Sequence, residues 1–317
     1  MSYKIHDFFK KSSFVSGEEI AKKLQISRVA VHKQIQKLRS QGYIIEGIRG
    51  RGYRLIPRSD GLLPLELKAR LETNILGREI ITLETVDSTQ NFIRELAEKG
   101  APEGTLVIAL EQEAGRGRMG RKWFSPEGGL WFSILLRPPF LPKEIYKLTL
   151  LFGVAIAISL KNYGLKPSLK WPNDVLINQK KVCGILLESS LEADRVDYVI
   201  VGIGLNANFP INSLPEEIRT NSTSLYEVLN RKIDRAELLC KILKNSEYLY
   251  LNAIKEGFLP IISIWKSLSS MLGKMVEVKL LKESIRGIAI DIDEDGSLVL
   301  NENGKLKKIY SGDIQLI

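Results

Sequence analysis

A chain of 317 residues is too long for one compact domain and suits two or three. With 44% hydrophobic and 26% charged residues it is ordinary globular material, and no apolar run approaches the ~18 residues of a membrane span. Residues 1–60 hold thirteen Lys and Arg against five Asp and Glu, whereas the remainder holds 33 against 32, so the net charge of +9 sits almost wholly in the first sixty. A basic end on a neutral body suggests an appended module for a polyanion, most often nucleic acid.

The opening MSYKIHDFFKKSS lacks the apolar core of a signal peptide, so a cytoplasmic protein is expected. Two cysteines, Cys183 and Cys240, make neither a disulfide framework nor a CxxC metal pattern, and both read as small buried hydrophobes. The two histidines, His6 and His32, both lie near the N-terminus. A Ser-His-Asp triad, a His-ligated zinc or a His general base in the body of the chain is thereby excluded.

Ser16 opens a capping box, SGEE, with Ile20 and Leu24 following at helical spacing. Ser27 can cap a second helix over 27–40, with Val31, Ile35 and Leu38 on one face and Arg28, His32, Lys33 and Gln36 on the other. YIIE and GYRLIP, joined by a glycine- and arginine-rich tip with Arg49 and Arg51, predict a hairpin and hence a winged helix-turn-helix. Its DNA contacts are expected in segment 17–36, from Gly17 onward, at Ser27, Arg28, His32, Lys33 and Gln36, and on the wing at Arg49 and Arg51. A protein-docking winged helix with an idle basic face is the competing reading. Residues 57–61 read as a linker.

From 61 to 270 the pattern predicts a mixed α/β domain, with strands at 106–110, 130–136, 175–178 and 198–205 and helices at 91–99 and 145–161. Four segments there exceed what core packing requires. Asp87, Ser88, Thr89, Gln90 and Asn91 make a polar run at a helix start. Residues 111–121 alternate Arg116, Arg118 and Arg121 with glycines and lead to Lys122 and Trp123. Such a loop offers backbone N–H groups and bidentate donors to a carboxylate or phosphate, though an RGG-like tract or a plain surface loop would look similar. Lys170, Trp171, Pro172, Asn173 and Asp174 crowd a cation, an aromatic, an amide and a carboxylate before a strand, with Lys181 and Gly184 opening the next. Gly202, Gly204 and Asn206 close a further strand, but the third glycine of a dinucleotide fingerprint and any GxxxxGK[ST] motif are absent, so any nucleotide such as ATP would have to be held by another device. After residue 270, strand-like runs alternate with the turns Glu294, Asp295, Gly296 and Glu302, Asn303, Gly304, which predicts a small SH3-like β-barrel over 271–317.

Taken in order, DSTQN, GRGRMGRKWFSP, KWPND, KKVCGILLE and VGIGLN behind a winged helix resemble the bifunctional biotin–protein ligase and biotin operon repressor family over nearly the whole chain. Met119 stands where a further charged residue is common, and Gln90 where an Asn is frequent. The resemblance implies an α+β protein with a winged helix-turn-helix over 1–60, a catalytic domain over 61–270 and an SH3-like domain over 271–317. It implies adenylation of biotin by ATP with Mg²⁺, then transfer to a lysine of the biotin carboxyl carrier protein of acetyl-CoA carboxylase. Repression at an operator by an adenylate-bound homodimer, with no membrane role, is implied too. By the same resemblance Ser88, Thr89, Gln90 and Gln112 lie at biotin's ureido end, and Arg116, Gly117, Arg118 and Lys181 at its carboxylate and the phosphate. Gly184, Gly202 and Gly204 let backbone approach the ligand. Lys170, Asn173, Asp174, Asn206, Arg121 and Trp123 fall on the nucleotide side, where Asp174 is either an Mg²⁺ ligand or a lysine-amine partner. Arg118, Lys181 and Asp174 are the implied catalytic residues. The rival readings are a non-catalytic biotin sensor and a lipoate-type ligase.

Overall fold

The structure, a computed structural model, describes residues 5–9, 13–56, 61–192, 195–280 and 283–317. Positions 57–60 of the expected linker and the side chain of His6 lie outside the described residues. Two compact units emerge, one of Met1–Glu72 with Asp234–Cys240 and one of Thr73–Ile233 with Lys241–Ile317.

In the first unit, α1 (Gly17–Leu24) is capped by Ser16, whose hydroxyl accepts from Glu19 N at 3.0 Å. Gln25 ends it in the left-handed conformation, and Ser27 caps α2 (Arg28–Ser40) by accepting from Ala30 N. Strands β1 (Ile45–Ile48) and β2 (Gly52–Leu55) pair antiparallel, and Tyr53 bridges to Val15. Gly52 has φ +100°, and a Cβ there would stand 2.1 Å from the Val15 carbonyl oxygen, so only glycine lets the wing lie this close. The core gathers Ile20, Val31, Ile35, Leu38, Ile45 and Leu55 with Leu65 of α3 (Pro64–Lys68). This is the expected winged helix-turn-helix, with α3 packed into its core.

The second unit is built on a seven-stranded sheet of β3 (Ile80–Val86), β4 (Leu106–Gln112), β5 (Leu130–Leu136), β6 (Pro167–Lys170), β7 (Asp174–Ile177), β8 (Lys180–Glu192) and β9 (Arg195–Leu205). Its order is β3-β4-β5-β9-β8-β7-β6, with β3 and β4 parallel and the other pairs antiparallel. Asn178, expected in the strand, instead starts a two-residue turn with Gln179. Both have positive φ, which suits the twist of a tight β7–β8 hairpin.

Strand alternation divides the faces. Helix α4 (Thr89–Glu98) packs Ile93 and Ala97 on Val107, Leu135, Tyr198 and Ile200. Gly202 and Gly204 follow Ile200 at even spacing, so they open on this same face beyond the start of α4. Helix α5 (Lys147–Lys161) is apolar almost all round because it is buried between the sheet and α9 (Leu259–Ser267). The short α6 (Glu216–Arg219) and α7 (Leu225–Leu229) and the longer α8 (Arg235–Glu256) complete the helices. Among the described residues no helix is long and apolar enough to cross a membrane.

The C-terminal strands β10 (Met275–Lys279), β11 (Ser284–Ile292), β12 (Leu298–Glu302), β13 (Lys305–Ile309) and β14 (Asp313–Leu316) pair antiparallel in the order β13-β12-β11-β10-β14. Asn303 and Gly304 form the expected turn with positive φ. A hydrogen bond from Trp171 Nε1 to the Gly296 carbonyl (3.0 Å) ties the KWPND segment to this module.

Candidate functional site

A cleft of about 700 Å³ opens on the α4 face of the sheet. One end is neutral and buried. Ser88 caps α4, and Thr89 donates its N–H and hydroxyl to Gln112 Oε1 at 2.8 and 3.1 Å. Gln112 Nε2 donates to Ser125 Oγ, and the Thr89 and Ser133 hydroxyls lie 2.8 Å apart. Gln90 Nε2 reaches the Leu186 carbonyl at 3.3 Å, while its buried Oε1 has no protein partner. A buried acceptor left open in this way carries a desolvation cost, which a ligand N–H would relieve.

The other end is cationic. Asp174 stands between two ammonium groups, Lys181 Nζ at 2.6 Å from Oδ1 and Lys170 Nζ at 3.2 Å from Oδ2. Burial alone would raise the Asp174 pKa, but the two lysines outweigh it and hold the carboxyl below its ordinary value. Among the described residues no group of three His, Cys, Asp or Glu could hold a metal ion. With both oxygens engaged by ammonium groups, Asp174 does not fit a protein-held Mg²⁺.

The glycine-rich loop is a small hairpin. Trp123 N donates to the Gly115 carbonyl and Gly117 N to the Arg121 carbonyl, with Met119 (φ +55°) exposed at the tip. Its three arginines go separate ways. The Arg116 guanidinium binds Glu188 (2.8 Å) and Asn91 (2.9 Å), and Glu188 also binds Arg94 (2.6 Å). Arg118 donates to Asn173 Oδ1 (3.1 Å) and the Gly312 carbonyl (3.3 Å). Burial lowers its pKa, with Asp313 and Asp174 acting against that. Arg121 pairs with Asp313.

Most expected site residues therefore converge on one cleft, in roles the sequence did not assign. A Cβ on Gly184 or Gly204 would meet the Trp123 ring at 2.8 and 2.3 Å, and one on Gly202 would meet Gln90 at 2.8 Å. These glycines seat two side chains that line the cleft, with Lys181 Nζ 5.0 Å above the Trp123 ring. Asn206 donates to the Thr223 carbonyl and anchors the 221–225 segment. Asn173 donates to the Ile185 carbonyl while accepting from Arg118. Sequence reasoning missed Asn221, Lys279, Asp313 and Gln315, which line the cleft, Glu188, which holds its loop, and Ser133, which braces Thr89 at the start of α4. Glu188 closes the KKVCGILLE run but was given no role there, and the others stand outside the quoted motifs, since long-range packing brings them in. Cys183 is fully buried, and burial pushes its thiol pKa far upward, which removes it as a nucleophile.

In the first unit, Arg28, Val29, His32, Lys33 and Gln36 are exposed along α2, and Arg49 and Arg51 are exposed at the wing tip. Ser27 is engaged in capping. His32 joins helix to wing, with Nδ1 3.3 Å from the Tyr53 hydroxyl and Nε2 3.2 Å from Gln36 Nε2.

Comparison with known proteins agrees with this geometry. The Biotin/lipoate A/B protein ligase family matches residues 82–206, an HTH domain residues 2–54, and the Biotin protein ligase C terminal domain residues 271–317. The chain is 43% identical over 307 residues to the Bacillus subtilis Bifunctional ligase/repressor BirA, covering 96% of this chain and 94% of that protein. Identity to the Escherichia coli Bifunctional ligase/repressor BirA is 30%, covering 96% and 93%. Among solved structures, the Aquifex aeolicus biotin protein ligase in complex with biotin and ATP has a TM-score of 0.66 and 37% identity, covering 76% of this chain and 99% of that one.

Proposed function

The chain belongs to the bifunctional biotin–protein ligase/repressor family, and on that premise we propose how its residues divide the two activities. It is an ATP-dependent biotin–protein ligase and a DNA-binding repressor that takes biotinyl-AMP as corepressor. A biotin carboxylate oxygen attacks the α-phosphorus of ATP, the bond to the β-phosphate breaks, and biotinyl-AMP and pyrophosphate result. A lysine amine of a biotin carrier protein then attacks the acyl carbon, loses a proton and expels AMP.

One observation carries the residue assignment: a neutral buried pocket with an open amide oxygen ends in a cluster of cations. The ureido ring needs acceptors for its N–H groups, and Gln90 Oε1 is open for one. Ser88, Thr89 and Gln112 hold that end in shape. Two anions that must approach each other need cations fixed in place beforehand. Arg118 meets that need best. Both of its hydrogen-bond partners are neutral acceptors, so an incoming carboxylate or phosphate displaces them readily. Arg116, bound to the charged Glu188, fastens the loop and leaves its backbone, with Gly117, beside the ligand. Lys181 and Lys170 are aimed by Asp174, and Trp123 walls the trough between the two ends. Arg121, Asn173 and Asn206 hold the nucleotide side. We assign Mg²⁺ to the triphosphate of ATP as its counter-ion and no residue of this chain to the metal.

We place the DNA-binding winged helix at 1–60, with α3 adding Leu65 to its core, the catalytic domain over the rest of 61–270 and the SH3-like domain at 271–317, in a cytoplasmic protein. The carrier is that of acetyl-CoA carboxylase. One recognition helix reads one short half-site, so repression uses a homodimer favoured by the adenylate. By linkage, operator DNA tightens adenylate binding by the factor by which adenylate tightens operator binding. The charged residues of KWPND and GRGRMGR argue for catalysis over mere sensing, and the attached winged helix favours biotin over lipoate. The test is transfer of labelled biotin to a purified biotin carrier protein with and without ATP. ATP-dependent labelling of one carrier lysine is expected, and no labelling would refute the reading.

A further inference from the structure

Val29 is the exposed hydrophobic residue of α2, two-thirds open to solvent at 66%. The α2 core face is already filled by Val31, Ile35 and Leu38, so packing within the unit does not explain it. It shares a helix stripe with His32, Lys33 and Gln36, at steps of three, one and three residues. On a basic helix that enters a major groove, an apolar group at the second helical position meets base edges, where the thymine C5-methyl is the matching apolar feature.

Gln36 is held at the other end of the stripe. With His32 Nε2 accepting from the Gln36 amide, the imidazole proton sits on Nδ1 and faces the Tyr53 hydroxyl of the wing. That relay takes one N–H of Gln36 and leaves the second N–H and Oε1 free. This donor–acceptor pair is the bidentate complement of adenine N7 and N6. Arg28 leans toward Glu18, 3.9 Å away, and Lys33 is left for phosphate. We propose that Val29 and Gln36 read two A·T base pairs of the operator half-site, Val29 through a thymine methyl and Gln36 through adenine, with His32 as the positioning residue for Gln36. Seven residues of helix rise about 10.5 Å, so the two pairs are about three base-pair steps apart. This rests on the DNA-binding reading above.

The test uses the full chain with biotin and ATP and a pool of duplexes carrying a randomised stretch, followed by base-analogue scanning of the enriched duplex. Replacing one thymine by uracil removes only a methyl. It should weaken wild-type binding about fourfold at one position, the worth of one buried methyl group, and leave Val29→Ala indifferent there. Replacing one adenine by 7-deazaadenine, about three steps away, should cost the wild type at least about fivefold and leave Gln36→Ala indifferent. His32→Ala and Tyr53→Phe should each blunt the 7-deazaadenine penalty while keeping the uracil penalty, which general loosening of the helix would not do. Equal analogue penalties in wild type and variants, or a selected sequence without two such A·T pairs, would overturn the proposal. If no duplex is enriched and binding ignores salt, the DNA-binding reading itself falls, a result distinct from binding with the wrong base dependence.

Discussion

Lys181 Nζ lies 2.6 Å from Asp174 Oδ1, and the carboxylate is largely buried at the cleft wall. A lone lysine on a strand would sample many rotamers. Here β8 supplies the cation and β7 the anion that fixes it, and Lys170 on β6 holds the second oxygen at 3.2 Å. Three neighbouring strands thus present two ammonium groups to one end of the cleft. The arrangement is pre-paid positioning, with the entropy of the long side chains lost on folding and not at the moment of reaction.

Lys181→Ala and Arg118→Ala should each slow adenylate formation at least about tenfold, since a hydrogen bond to a charged group is worth ~1.5–3 kcal/mol. Arg118→Ala should also shorten adenylate retention. Single-turnover formation of labelled biotinyl-AMP, followed by its release, measures both. Unchanged rates and retention in both variants would remove these cations from the chemistry.

The Asp174 carboxyl has a depressed pKa in the fold, so its stabilising contribution is present above the unfolded value of about 3.9 and disappears as pH falls through the folded value. Asp174→Asn should therefore be clearly less stable than wild type at pH 7, with the gap closing as the solution is acidified below pH 4. Urea melts of both proteins across that range check the sign. A gap that widens toward acid would mean that the lysines do not control this group.

Three anchors hold the glycine-rich loop: Glu188 on Arg116, Asn173 on Arg118 and Asp313 on Arg121. Trypsin should cut at 116–121 faster in Glu188→Gln and Asp313→Asn than in wild type, and biotin should slow cutting in all three. Cleavage indifferent to both the substitutions and saturating biotin would make the loop a plain surface feature.

Arg49 and Arg51 sit at the exposed wing tip, within the first sixty residues that carry nearly all the net charge. Substituting both by alanine should weaken DNA binding and lower the slope of log affinity against log salt by about two, one per lost phosphate contact. Biotin transfer to the carrier should be unaffected. An unaltered salt slope would place the DNA surface elsewhere.

The wing and the helix caps were legible because they rest on local rules: Ser16 and Ser27 cap where the sequence places them, and Gly52 closes the hairpin. Gln90, Gln112, Lys181 and Arg118 could be singled out in the sequence because their motifs follow one another in order, and the fold brings all four to one cleft. What those motifs touch was not legible. Arg116 reads like Arg118 in sequence, yet Glu188, 72 positions away, pairs with it, while Arg118 meets the neutral acceptors Asn173 Oδ1 and the Gly312 carbonyl. Gly184 and Gly204 read as backbone for a ligand, yet they receive the Trp123 ring. Leu65 falls beyond the expected linker, yet its burial with Ile35 and Leu55 puts α3 in the winged-helix core. In each case a long-range contact, invisible to spacing, decided between equal local choices.

The most direct measurement is the initial rate of pyrophosphate release from ATP by the purified full chain, with biotin in one series and lipoate in the other. The neutral amide pocket and the cations beside it predict release that needs biotin, is at least tenfold slower with lipoate, and collapses in Lys181→Ala. Release that is equal with lipoate, or independent of any added acid, would contradict the assignment of this cleft to biotin adenylation.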